Sequence, residues 1–219
     1  MIVTIDGPAG SGKSTVARML AQQLGFRFLD TGALYRAAAY ACTKYGVDPA
    51  DQTRAAELLA QVSLEMDDDT IRIDGSDVTD KLRTPEITQS ASVVAVNPKV
   101  RETITELQRR FAAGDNVVTE GRDQGTVVFP NAECKFFLTA NPRERAVRRQ
   151  RDLKEQGTNL TLDEVISQLR ERDERDEQRQ VAPLKPAADA VIIDTSGVPV
   201  EDVVRKMIDI VRQGQSEHT

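Results

Sequence analysis

The chain is 219 residues long, and its densest chemical signal lies near the N-terminus. The run is Gly7-Pro8-Ala9-Gly10-Ser11-Gly12-Lys13-Ser14, followed by Thr15. The spacing is G-x-x-x-x-G-K-[ST]. Glycines let the backbone fold around a chain of phosphates with its N–H groups pointing inward. A lysine at this position reaches the β- and γ-phosphates, and the serine hydroxyl can ligate Mg2+. A helix opening near Ser14 would add its positive end to the same anion. Residues 7–15 are therefore expected to bind a nucleotide through its phosphates, with Lys13 as a catalytic cation.

Magnesium in such a site needs a carboxylate at the end of a second strand. The run "NVVTEGRD" supplies Glu120 behind the apolar pair Val117–Val118. Glu is one methylene longer than Asp, so contact through a bound water is expected. Two arginine-rich segments follow. In "NPRERAVRRQR", Arg143, Arg145, Arg148, Arg149 and Arg151 accompany a single acid, Glu144. Phosphoryl transfer between two anions requires cations around the migrating group, and this segment reads as an arginine lid, with Arg148 a candidate catalytic cation. In "LRERDERDEQRQVAP", Arg172, Asp176 and Arg179 stand at i, i+4 and i+7, one face of a helix. That face suits an anionic sugar phosphate. Glu171, Asp173, Glu174 and Glu177 are expected on the solvated side. Neither the N-K-x-D motif of a GTPase nor the L-S-G-G-Q motif of an ABC ATPase occurs.

The elements that must position these residues alternate at first. "MIVTIDG" reads as a strand, "STVARMLAQQLG" as a helix stopped by Gly25, "FRFLDTG" as a strand and "ALYRAAAYACTKYG" as a helix. This β-α-β-α opening predicts a parallel sheet with helices on its faces. Asp48-Pro49 is expected to open a third helix. The stretch "SLEMDDDTIRIDGSDVTDKL" breaks the alternation and reads as an inserted module of short antiparallel strands. Helices are expected from Thr84-Pro85 and Asn97-Pro98. Strands 116–120, 134–140 and 190–194 resume the α/β pattern. Between the last two of these strands lie two helices, the second opening at Thr161 with a capping box to Glu164.

Composition narrows the function classes. Hydrophobic residues make up 39% and charged residues 29% of the chain, which is globular rather than disordered. A net charge of −6 excludes a general nucleic-acid binder held by phosphate neutralisation, so any basic site must be local. Cys42 and Cys134 have no metal-ligand spacing, and Cys134 reads as a small core residue. The single histidine, His218, sits in a polar tail and is a poor catalyst candidate. No signal segment is read before the first strand. No apolar run approaches the ~20 residues of a membrane helix. A cytoplasmic monomer is expected, with no nucleic-acid or membrane partner.

Taken in order, "IDGPAGSGKST", "LDTGALYR", "EGRDQGTVVFP" and "RERDERDEQRQVAPL" resemble the bacterial cytidylate kinases over nearly the whole chain, including the inserted module. The resemblance implies an α/β P-loop kinase with a five-stranded parallel sheet, an enlarged monophosphate-binding insertion and a mobile lid. The expected division is core 1–31, 97–150 and 163–219, insertion 32–96 and lid 151–162. It implies ATP with Mg2+ as donor and CMP or dCMP as acceptor. Motif by motif, Thr31, Tyr35 and Arg36 match the monophosphate site. Ser92, Arg101 and Asp123 match the base readers, Arg122 lies beside the phosphate, and Arg172, Asp176 and Arg179 match ribose and phosphate contacts. Lys13, Arg148 and Arg172 are the expected catalytic groups, and Ser14 and Glu120 the metal-site residues. Thr31 stands where Ser is frequent and Glu120 where Asp is frequent. The alternatives from the residues alone are a P-loop kinase for another small acceptor and a nucleotide-binding switch.

Overall fold

The computed structural model describes residues 1–67, 70–155 and 157–216; His218 and two acids of the inserted module, Asp68 and Asp69, lie outside them. The chain divides into two compact units, Met1–Phe28 with Asp115–Thr219, and Leu29–Gly114.

The first unit carries β1 (Ile2–Asp6), α1 (Lys13–Leu24) and, across the division, β2 (Arg27–Asp30). The second unit contains α2 (Thr31–Lys44), α3 (Gln52–Gln61), β3 (Leu64–Asp67), β4 (Thr70–Ile73), β5 (Ser76–Asp77), α4 (Pro85–Val94) and α5 (Pro98–Ala112). The chain then returns with β6 (Val117–Gly121), β7 (Cys134–Thr139), α6 (Pro142–Glu155), α7 (Leu162–Glu177), β8 (Val191–Asp194) and α8 (Val200–Ser216).

The large sheet has five strands in the order β2-β6-β1-β7-β8, and β1 pairs in parallel with both β6 and β7. Its central strands are apolar on the face that α1 and α8 cover and polar on the other, where Thr4, Thr119 and Lys135 lie in register. Val3, Ile5, Val118, Phe136 and Leu138 share one cluster with Val16 and Leu20 of α1 and with Val204, Met207 and Val211 of α8. Cys134 is buried in that cluster, as its apolar context predicts. The central position of β1 sets the site: its C-terminal end delivers Gly7 to the edge where ligands bind in such sheets.

The second unit is organised around α2, whose buried face is built from Leu34, Ala37, Ala38, Ala41 and Cys42. Small side chains let α3, α4, α5 and β4 all approach one helix. The inserted module is an antiparallel sheet in the order β3-β4-β5. One sequence expectation shifts here. The third helix starts at Gln52 with Asp51 as its N-cap, while Asp48 forms a turn, its carboxylate accepting from Ala50 N at 2.9 Å. Residues 98–112 form α5 of the second unit, which buries Val100 and Ile104 and contacts α2, α3 and β3.

Burial in the sheet unit should decide stability. Met207→Ala, at a fully buried position, should cost about 2–5 kcal/mol, and Ile192→Ser, at a position 60% exposed on β8, about 0.5 kcal/mol or less. Urea unfolding followed by far-UV circular dichroism measures both, and equal losses would contradict this placement of the core.

Candidate active site

The loop between β1 and α1 is fixed by sterics at its glycines. Gly7 has φ 151°, and a Cβ there would lie 2.1 Å from the Leu138 carbonyl oxygen of β7. Gly10 has φ 75°, with the Arg145 carbonyl oxygen 2.8 Å from where its Cβ would be. Only glycine meets both demands at either place. Lys13 is the first residue of α1, and its Nζ donates to the Pro8 carbonyl at 2.9 Å, so the side chain arches back over the loop. It is 5% exposed. Burial, reinforced by the nearby Arg122, pushes its ammonium well below the usual lysine range, against the pull of Glu120.

At the next residue, the Ser14 hydroxyl donates to Glu120 Oε1 at 2.9 Å. A hydroxyl and a carboxylate oxygen side by side next to a phosphate cradle fit Mg2+, which binds few protein oxygens and keeps phosphates and waters as its other ligands. Among the described residues no cluster of three or more His, Cys, Asp or Glu forms an alternative centre.

Asp176 is the hub of the charged cluster. It sits in the last turn of α7, and its Oδ2 accepts from Arg122 Nε at 2.8 Å. Arg179 Nη2 lies 3.6 Å from its Oδ1, and Arg179 Nε donates to the Asp176 backbone carbonyl at 3.2 Å. Burial alone would raise the Asp176 carboxyl, but Arg122, Arg179 and Arg172 together hold it below the usual carboxylate range. Lys13, Arg122, Arg172 and Arg179 thus converge on Asp176, with Glu120 also acting on Lys13 and Arg122. The cations are largely shielded from water, which strengthens their attraction for an anion of high charge.

The helical-face expectation holds for Arg172 and Asp176 but not in full for Arg179. Helix α7 ends at Glu177, and Arg179 reaches Asp176 from beyond the C-cap Gln178. Asp173 was expected on the solvated side and is instead 8% exposed. Its Oδ2 pairs with Arg145 Nη1 at 2.5 Å, its Oδ1 accepts from Ala9 N at 3.4 Å, and Arg145 Nη1 also donates to Ala9 O at 3.0 Å. Both backbone polar groups of Ala9 are therefore held by this one ion pair. The sequence held the signal: Val165, Leu169, Asp173 and Asp176 are the buried residues of α7 and recur at helical spacing. Arg148 is likewise committed, donating to Thr195 Oγ1 at 2.9 Å and Thr195 O at 2.8 Å. Thr195 in turn donates to Ser11 O at 3.2 Å. Arg145 and Arg148 therefore fasten α6 to the phosphate loop and to the turn after β8, while Arg143 and Arg151 are exposed.

Asp123 is buried and opens a π-helical turn, Gln124–Val128, through bonds from Val127 N and Val128 N to its carbonyl. In the second unit, Thr31 begins α2 behind the N-cap Asp30, which accepts from Ala33 N at 2.9 Å and from Arg36 Nη2 at 3.1 Å. The Arg101 guanidinium lies 5.5 Å from the Tyr35 ring centre and donates to Ala95 O at 3.1 Å. The structure thus brings Tyr35 to Arg101. Ser92 Oγ donates to Gln89 O of its own helix at 2.8 Å.

Comparison with known proteins agrees with this geometry. The family profile described as cytidylate kinase matches residues 3–213. A protein described as cytidylate kinase from Pelotomaculum thermopropionicum is 48% identical over 220 residues, covering 98% of this chain and 97% of its own. One with the same description from Rhodopirellula baltica is 45% identical over 213 residues, covering 97% and 93%. The crystal structure of a gluconokinase from Sinorhizobium meliloti shares the fold, with a TM-score of 0.50 at 19% identity and coverage of 99% and 94%. The chain belongs to the cytidylate kinase family.

Proposed function

We propose that this chain transfers the γ-phosphoryl group of ATP to CMP or dCMP, giving ADP and CDP or dCDP. The observation that carries the reading is the buried cationic cluster of Lys13, Arg122, Arg172 and Arg179 beside the glycine-rich loop, in a chain whose near full-length relatives are described as cytidylate kinases.

The chemistry asks little of the protein beyond position and charge. An acceptor phosphate oxygen attacks the γ-phosphorus, one P–O bond forms, and the bond to the β–γ bridging oxygen breaks as ADP leaves. A monophosphate is largely ionised at pH 7, its second pKa being about 6, so no general base is required. Gly7, Pro8, Ala9, Gly10, Ser11, Gly12, Lys13, Ser14 and Thr15 are assigned to the ATP phosphates. Ser14 and Glu120 would hold Mg2+, which supplies charge neutralisation at the phosphates when bound. Direct contact between those two side chains favours a compact site, with Glu120 reaching the ion through water.

Lys13 and Arg172 are assigned to charge that spreads onto the migrating phosphoryl group. Arg148 serves there only if it leaves Thr195. On the acceptor, Arg36, Arg122, Arg172 and Arg179 are assigned to phosphate, Asp176 to the ribose hydroxyls, and Ser92, Arg101 and Asp123 to cytosine. Thr31 and Tyr35 are assigned to the walls around the monophosphate. Segment 151–162 is proposed as a mobile lid, anchored where Leu153 is buried beside Val165 and Leu169. A monomer working in the cytoplasm is the proposed setting. It is supported by two buried cysteines that remain as free thiols. Among the described residues no helix is long and apolar enough to cross a membrane.

A coupled ADP-release assay across common nucleoside monophosphates tests the reading. CMP and dCMP should exceed AMP by about a hundredfold or more in kcat/KM, and Lys13→Ala should lower CMP turnover by about a hundredfold without lowering the melting temperature. Acceptance of AMP at the rate of CMP would overturn the assignment. Base choice gives a second test. The cytosine N4 amine donates where uracil has a carbonyl, and a carboxylate suits only the former. Asp123→Ala should therefore lose efficiency on CMP about tenfold more than on UMP. If both substrates and the melting temperature fall together, Asp123 only braces its turn.

A further inference from the structure

The segment that carries Arg122 and Asp123 is held by groups to which the mechanism gives no part. The two carboxylate oxygens of Asp6, the last residue of β1, accept one backbone N–H each, Gln124 N at 2.9 Å and Gly125 N at 2.8 Å. Asp6 is 3% exposed. The Gln124 side chain, itself buried, accepts from Thr119 Oγ1 at 2.9 Å. Lys135 Nζ donates to Pro130 O at 2.6 Å and closes the far end of the segment. Gly125 fits with no room to spare, because a Cβ there would meet Thr4 Oγ1 at 2.9 Å and Lys135 Cδ at 3.2 Å. The π-helical turn is thus seated on β1, β6 and β7 from below.

We propose that Asp6 is a positioning residue for acceptor choice: by taking the N–H groups of Gln124 and Gly125 it fixes the turn, and so sets Asp123 and Arg122 for base and phosphate. The role rests on the assignment of those two residues to the acceptor. A carboxylate is the only side chain of this size that offers an acceptor to two adjacent N–H groups; asparagine would turn a donor toward one of them. Fold alone does not require a charge here. Burial makes the anion unfavourable and pushes the Asp6 carboxyl up to about 7, against the two backbone hydrogen bonds that lower it. A buried carboxylate that costs stability and spends both oxygens on one turn is explained by what the turn carries, although Lys13 also acts on its charge.

The test is Asp6→Asn, assayed with CMP, UMP and ATP as variable substrates. The KM for CMP should rise about tenfold and the CMP:UMP ratio of kcat/KM should shrink about fivefold, with the KM for ATP within about threefold of wild type. A purely structural role would lower the active fraction and leave both KM values and the ratio unchanged, which overturns the proposal. A rise in the ATP KM as large as that for CMP overturns it too, because Asp6 would then act through the adjoining Gly7. If Asp6→Asn does not fold, Thr119→Val decides. This variant removes the hydroxyl that holds Gln124 at nearly constant volume, and should move the same ratio in the same direction by about threefold. An unchanged ratio in that variant sinks the clamp. Arg122→Ala, run in parallel, separates the two levels. If it leaves the KM for CMP unchanged, the acceptor assignment fails and the role of Asp6 fails with it; if it raises that KM while Asp6→Asn does not, only the clamp fails.

Discussion

Burying several like charges in one place is the constraint on which this structure depends. Lys13, Arg122 and Arg179 are largely withdrawn from water, and an unpaired buried cation is strongly unfavourable. Asp176 makes the arrangement tolerable by pairing with Arg122 and Arg179, and its interaction with Arg172 and Lys13 adds to this. Glu120 relieves part of the remainder. A phosphate chain brought to this cluster would add further counter-charge to its buried cations.

The fold serves this cluster by converging independent elements on the end of β1. The glycine-rich loop leaves β1, Glu120 and Arg122 come from the end of β6 and the residue after it, and Asp176 comes from the last turn of α7. The loop itself is secured from two directions. Gly7 lies against the Leu138 carbonyl, and Ala9 is held by the Arg145–Asp173 pair while its methyl group joins Ala146, Leu153, Val165 and Leu169 in a small apolar cluster. The α6–α7 pair is therefore mechanically part of the phosphate site.

Much of this was legible in the sequence where a residue type is forced by local physics. Glycine spacing placed the phosphate loop because φ and close approach exclude side chains there. Capping residues placed α4, α5 and α7, each N-cap hydroxyl or amide accepting from its own first turn. Side-chain partners that arise only from tertiary packing were not legible. Helical spacing from Val165 and Leu169 puts Asp173 on the buried stripe of α7, but nothing local names Arg145 as its partner. Arg148 reads as a lid arginine until β8 and the following turn bring Thr195 beneath it. Asp6 reads as a strand-end residue before a glycine, and its partners lie 118 and 119 positions away. The start of α3 was misplaced because Asp48 and Asp51 are equally good caps in sequence, and the turn at Asp48 takes the first of them.

The most direct measurement of the central claim is the thermal stability of the ligand-free protein titrated with inorganic tripolyphosphate, with sodium chloride at matched ionic strength as the reference. Tripolyphosphate has the charge of the ATP phosphates and nothing else for the protein to recognise. If the buried cations form a phosphate site, it should raise the melting temperature by several degrees, corresponding to roughly 2–3 kcal/mol at a hundredfold excess over its dissociation constant. Most of that gain should vanish in Lys13→Ala. A melting temperature no higher in tripolyphosphate than in chloride, or a gain that Lys13→Ala leaves intact, would contradict the account.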